Sequence, residues 1–510
     1  MRNKIGLIPY LPRTKKGCFS RNLQAQLGAD GGVLTGLVDE LIDAEVSHDE
    51  VPVAEGRALG LTGQGDQLTH LMHVGDHVPD VELDPLFGEI IKGFGAPRAA
   101  RLDVEDGERL RHAANQAEQA KVSKRRAPEA LTDPRGLQEM TLPMETIHGA
   151  PSYTLKTPEV ELAVTQTAGH LAPVTFRLPG LMASPYSLSP WTPTQIDQSL
   201  PNLLTYLRGD FMCLPFGGQQ KGPPHGDTAN APWQLIASSA TRLELTQTGT
   251  DTGATVAKKF TLIPGHHAIY SEHVITQLEG RWNYGNHPVL DLSQVPAGAA
   301  RIATSAFRFG SVYAGEFSNP AAGESGALKP FAEFSSLKSV PMKDGTDTDL
   351  TRYPARAGND DLIMLVNVPA TEAQPFAWTA VTFPGYVWFS LKNVADFPST
   401  LFWLSNGGRP GHPWEKRHLG RLGLEEVCSH FCDGVDVARE DRLAAKGIPT
   451  SRLFRKDERV RLPLIQAAAA VPAAFGQVQS IVPAGPESVR ITGENGQAVT
   501  CPINWQFLKP

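Results

Sequence analysis

From Val160 onward the spacing of apolar residues settles into short runs rich in Val, Thr, Phe, Ile and Tyr, separated by turn residues, which is the pattern of many antiparallel strands. The clearest runs are Val160 to Gln166, Pro173 to Leu178, Arg242 to Thr248, Thr255 to Ile263, His267 to Gln277 and Ile302 to Val312. Further runs cover Asp361 to Val368, Trp378 to Lys392, Thr400 to Ser405, Gly423 to Phe431, Gln477 to Val482 and Ser488 to Thr492. Two of the connections, TGTDTG at 248–253 and ENGQ at 494–497, carry the Asp/Asn and Gly residues of hairpins. Upstream the period is different. Val33, Leu34, Leu37, Leu41 and Ile42 fall near helical spacing within 32–45, the polar stretch 103–126 also suits a helix, and 128–141 reads as a linker. The pattern therefore predicts a mainly β chain: a large antiparallel β-sandwich over 151–510, preceded by a small, helical or partly ordered extension over 1–150.

Bulk properties narrow the function. With 510 residues the chain exceeds what one core normally organises, in keeping with a large domain and an appendage. The net charge is −7 and the basic residues are scattered, apart from Lys121 to Arg126, so a nucleic-acid partner is not expected. The apolar stretch Ile5 to Ile8 stops at Pro9, too short for a signal peptide. The Ala-rich run 467–474 is broken by Pro472, and no run reaches the roughly 18 apolar residues of a membrane span. The expectation is a cytoplasmic protein without a membrane partner. Five cysteines at irregular spacing describe no disulfide framework, so reduced thiols are expected.

Three clusters join ionisable groups to Gly, Pro and aromatic residues, the surroundings of a binding site. In the first, Arg208-Gly-Asp-Phe-Met-Cys-Leu-Pro-Phe-Gly217 is followed by Gly222-Pro-Pro-His-Gly-Asp-Thr-Ala-Asn-Ala-Pro-Trp233. His225 supplies an acid or base near neutral pH, and Trp233 offers a flat face for the CH side of a sugar ring. The second cluster is Trp282-Asn-Tyr-Gly-Asn-His-Pro-Val-Leu-Asp291, which contains His287. The third runs from Trp403 through Arg409 to Trp414, then from His418 to Glu426, and ends in two carboxylates on an expected strand. Because a strand alternates faces, only one of Glu425 and Glu426 can point into a pocket. Trp233, Trp282, Trp403 and Trp414 all read chiefly as core, with at most one or two lining a pocket.

Taken in order, these segments resemble the aldose 1-epimerase and glucose-6-phosphate 1-epimerase superfamily, the galactose mutarotase-like proteins. The resemblance rests on Arg208-Gly-Asp210, Leu214-Pro-Phe-Gly217, His225-Gly226, Asn286-His-Pro288 and the late run Gly423-Leu-Glu-Glu426, with Gly169-His-Leu-Ala-Pro-Val-Thr-Phe176 similar to the opening hairpin. It spans about 155 to 510 and implies a supersandwich fold that interconverts sugar anomers by general acid/base catalysis. By resemblance, Glu425 would be the base at the C1 hydroxyl and His287 the acid at the ring oxygen. Arg208, His225, Asp227, Trp233, Asp210 and Arg409 would surround a small-molecule carbohydrate, and no metal or organic cofactor is implied. The chain departs from the family in having Glu426 where proline commonly follows the catalytic glutamate, and Asp210 where a second glycine is frequent. Two alternatives remain open: a carbohydrate-binding protein without turnover, and a lyase or hydrolase acting on an oxidised or acidic sugar.

Two other patterns resemble metal sites. His70, His73 and His77 lie near Asp76 and Asp80, but Gly75 and Pro79 oppose a helix and favour a solvated segment. Cys428, His430 and Cys432 alternate along an expected strand without an evident fourth ligand, and buried reduced cysteines are the simpler reading.

Overall fold

The computed structural model describes residues 144–315 and 317–509, and within that span the chain is built almost wholly of antiparallel strands. The helices expected at 32–45 and 103–126, and the His70, His73 and His77 group, lie outside the described residues. The described helices are short. The longer of the two α-helices, Gly434–Arg439, has six residues, and no described helix is long and apolar enough to cross a membrane.

Two large sheets form the sandwich. The first runs Arg352–Tyr353, Ala300–Thr304, Ala377–Phe383, Tyr386–Lys392, Val460–Ala470, Ala268–Thr276, Thr255–Leu262, Arg242–Thr248 and Gln234–Ser238. The second runs Glu333–Phe334, Phe307–Val312, Asn359–Asn367, Ser399–Asn406, Arg421–Cys428, Tyr284–Asn286 and Met212–Cys213, with Val289–Asp291 also paired to Arg421–Cys428. A five-stranded sheet begins with Glu145–Ile147 and Ala150–Lys156, and a three-stranded one ends the chain with Val478–Pro483, Ser488–Gly493 and Ala498–Pro502.

Side chains sort by period two. Leu422 and Leu424 join Phe402 and Leu404 in the core that also contains Leu245, Val256 and Trp388 of the first sheet. The opposite face of the same two strands gives Val427, Leu401 and Trp403 to a separate cluster with Trp191, Phe211 and Phe216. The outer face of the first sheet is covered by the terminal sheet through Phe389, Ile465, Ile481 and Ile491. Strands buried on both faces read as continuous apolar runs, as Asn359–Asn367 and Tyr386–Lys392 do.

Some boundaries differ from the expectation. Trp378 to Lys392 is two strands joined at Pro384 and Gly385, and Ile302 to Val312 is also divided. Val460–Ala470 is a central strand that the sequence conceals, because it contains Pro463 and four successive alanines. Those alanines pair with Tyr386, Val387, Trp388 and Phe389, and small side chains accommodate the large neighbours. The hairpins at 248–253 and 494–497 form as expected, with Thr248 opposite Thr255 and Thr492 opposite Ala498.

Between the sheets lies a fully buried ion pair of Glu426 with Lys392. Thr400 Oγ1 (2.9 Å), Ser390 Oγ (2.8 Å) and Thr379 Oγ1 (3.3 Å) also donate to the Glu426 carboxylate. Removing one partner of such a pair strands the other charge out of water, so Glu426→Ala should destabilise the fold by about 3–5 kcal/mol in urea unfolding.

Candidate functional site

Glu425 and Glu426 are adjacent on Arg421–Cys428, and the pleat sends them to opposite faces. Glu426 enters the core between the sheets, while Glu425 joins the Trp403 face. Gly423 makes room for it: a Cβ there would lie 2.9 Å from Glu425 Oε1 and 3.0 Å from the Trp403 Cβ. Opposite stands His287, at the break where Pro288 separates Tyr284–Asn286 from Val289–Asp291, both of which pair with the same glutamate-bearing strand. The His287 backbone N–H is fixed by Phe211 O at 3.0 Å and Asp210 Oδ1 at 2.9 Å. Its ring stacks on Phe211 at 4.5 Å, meets Trp403 edge-on at 5.9 Å, and brings Nε2 to 3.2 Å from Glu425 Oε1.

This pair is nearly closed off from solvent, with 7% and 3% of the His287 and Glu425 side chains exposed. Burial disfavours each charged form. It pushes the Glu425 carboxyl well above its ordinary range, and it pushes His287 well below its own, helped by neighbouring His225. Both shifts favour the uncharged forms, so the pair rests neutral with Glu425 Oε1 and His287 Nε2 3.2 Å apart. The other ring nitrogen, Nδ1, is a buried atom with no partner among the described residues. His225, half-buried, lies 5.2 Å from the His287 ring. Its Nδ1 accepts the Gly217 N–H at 3.3 Å and burial lowers its pKa to about 4, so at neutral pH its Nε2 carries the hydrogen and can donate to a ligand.

Four expected ligand contacts are instead committed to protein partners. Arg208 is buried, and its guanidinium donates to the carbonyls of Tyr206 (3.2 Å), Ile147 (2.9 Å) and His148 (3.2 Å). Asp210 is buried too: besides the His287 N–H it accepts Gln466 Nε2 at 2.7 Å and Asn286 Nδ2 at 3.3 Å, so it positions the imidazole from behind. Asp227 Oδ2 holds the hairpin turn through Thr250 N (2.6 Å) and Oγ1 (2.8 Å). Trp233 is 1% exposed, bonded to Thr228 O and covered by the Lys258 ammonium 4.5 Å from its ring, which leaves no face for a sugar.

Arg409 is different. It is half-buried, and its guanidinium carbon lies 4.9 Å from the Phe317 ring, 5.2 Å from Trp414 and 5.6 Å from Trp403. Of the tryptophans read as core, Trp403 proves to touch both His287 and Arg409, and Phe211 stacks on His287 although sequence reasoning gave it no role. Cys428, His430 and Cys432 do not share a strand face: the strand ends at Cys428, and His430 Nδ1 turns to Asp433 Oδ2 at 2.8 Å.

The architecture is that of a large antiparallel β-sandwich with one buried carboxyl–imidazole pair on the outer face of a sheet. No protein-family model and no curated protein matches the chain. Solved structures similar to it include a galactose mutarotase related enzyme from Lactobacillus acidophilus, at 9% identity and a TM-score of 0.40, covering 62% of this chain and 97% of that one. Another, from Escherichia coli K12 and provisionally described as an aldose 1-epimerase, has 16% identity and a TM-score of 0.42, covering 63% and 99%. A galactose mutarotase-like protein from Lactobacillus casei has 12% identity and a TM-score of 0.38, covering 62% and 99%. At these values the likeness bears on neither activity nor ligand, and the functional reading rests on the chain's own side chains.

The space left by Gly423 is testable without a substrate. Gly423→Ala should push the Glu425 carboxyl off His287, and the ¹⁵N chemical shift of His287 Nε2 should change as that neighbour is withdrawn, while the fold is retained.

Proposed function

We propose that the chain interconverts the anomers of a sugar, with the Glu425–His287 contact as its acid/base pair. The observation that carries this reading is the 3.2 Å approach of an imidazole and a carboxyl group that arrive from separate segments, in a setting that keeps both neutral. Opening a pyranose requires that the C1 hydroxyl lose its proton, that the bond from C1 to the ring oxygen break, and that this oxygen be protonated. With the resting proton on Glu425, His287 Nε2 takes the hydroxyl proton and Glu425 gives its own to the ring oxygen. The pair is left as imidazolium and carboxylate. After rotation of the aldehyde, closure returns both protons, so nothing is consumed. The roles are thus exchanged relative to those implied by the family resemblance, and desolvation is the cause. His225 Nε2 is the nearby donor for a sugar hydroxyl.

Anomer exchange of free sugars measured by NMR magnetisation transfer tests the reading. Glu425→Gln cannot transfer a proton and should lower the catalysed exchange by roughly 10²–10⁴-fold. The neutral pair also sets the pH profile. Activity should hold through neutral pH, fall on the acid side only below the ordinary histidine range as His287 charges, and fall on the alkaline side as Glu425 loses its proton. Sugar binding without exchange would instead support a binding protein.

A further inference from the structure

We propose that the ligand of this site carries a carboxylate seated on Arg409, which makes it an aldohexuronic acid rather than a neutral hexose; the proposal rests on the anomer-exchange reading. Three rings hold the Arg409 guanidinium at 4.9, 5.2 and 5.6 Å, and none of them is an acceptor that saturates its N–H groups. Among the described residues Arg409 forms no ion pair and no hydrogen bond through its side chain, and its Nε is buried without a partner. The Trp403 indole N–H beside it is likewise buried and unpartnered. Two N–H donors on one aromatic cluster therefore lack an acceptor, and a ligand oxygen is the group that completes them.

Position and charge select the ligand. Arg409 and His287 contact the same indole, at 5.6 and 5.9 Å from its centre, so the cation stands one side chain away from the proton-transferring pair. In a pyranose, C5 is bonded to the ring oxygen that Glu425 protonates, so a substituent on C5 extends from the reacting end of the ring. Near Arg409 lies the buried Asp360 carboxyl, pushed up by burial and lowered by the guanidinium, outside ion-pair distance and with its Oδ1 unpartnered among the described residues. His418, stacked on Trp403, is kept neutral by burial and by Arg409 and Arg421. The positive charge here is at most that of one guanidinium, so a monoanion is the most that it can balance. A dianionic phosphoryl group would leave negative charge unbalanced between aromatic walls.

Anomer exchange of galacturonate and glucuronate, the parent hexoses and the hexose 6-phosphates, each with the full chain, tests this. The expected result is a kcat/KM for a uronate about tenfold or more above that of its hexose, as a charged hydrogen bond supplies. Arg409→Gln should collapse that ratio mainly through KM, with Arg409→Lys restoring part of it; a thermal melt of both variants establishes that they fold. A wild-type ratio near one, or a preference for hexose 6-phosphates, overturns the carboxylate assignment while leaving anomer exchange intact. Exchange of no sugar at all, together with no uronate binding by Glu425→Gln in calorimetry, overturns both.

Discussion

Arg421–Cys428 is buried on both faces, and its two glutamates must therefore each find a partner away from water. The pleat assigns them opposite solutions. Glu426 meets a cation, Lys392, and three hydroxyls between the sheets, where every carboxylate oxygen is satisfied. Glu425 meets an imidazole and no cation, and burial then holds it protonated. A single backbone period thus separates a paired, structural charge from a carboxyl held neutral. The remainder of the site serves to hold the imidazole opposite: Phe211 beneath the ring, Asp210 on its backbone N–H, and the Pro288 break that turns it out of the strand ladder.

Much of this was legible in the sequence. Strands announced themselves by their β-branched runs, and strand alternation implied that Glu425 and Glu426 face opposite ways without saying which of them meets His287. Side-chain direction within the motifs was not legible. Arg208, Asp210 and Trp233 sit in segments that do approach the site yet point into the protein, and Asp227 turns to a surface hairpin instead. Spacing along the chain reports which backbone comes near, whereas a hydrogen-bond partner 60 or 256 residues away decides where a side chain is committed. Lys258 offered a readable signal: in Thr255–Leu262 it shares the alternating face of Val256, Phe260 and Leu262, so a cation was bound to lie in the core. Val460–Ala470 offered none, because alanines and a proline hide a strand whose bulk is supplied by its neighbours.

The buried cations differ in how they are satisfied, and the difference separates scaffold from site. Lys258 donates to Gly169 O at 2.6 Å, Arg208 to three carbonyls, and Lys392 to Glu426. Each is an internal cross-link whose donors have acceptors within the chain. Arg409 is held by π faces alone, which steady a guanidinium while leaving its hydrogen-bonding edge unfilled. Such a fork gains little for the fold beyond packing, since surface arginines do as well in water. Its geometry becomes useful when an acceptor is delivered from outside, because the side chain is already ordered and little freedom is lost on contact. The Trp403 ring that orders it also bounds His287, so the same aromatic surface that covers the Glu425–His287 pair also presents the cation beside it.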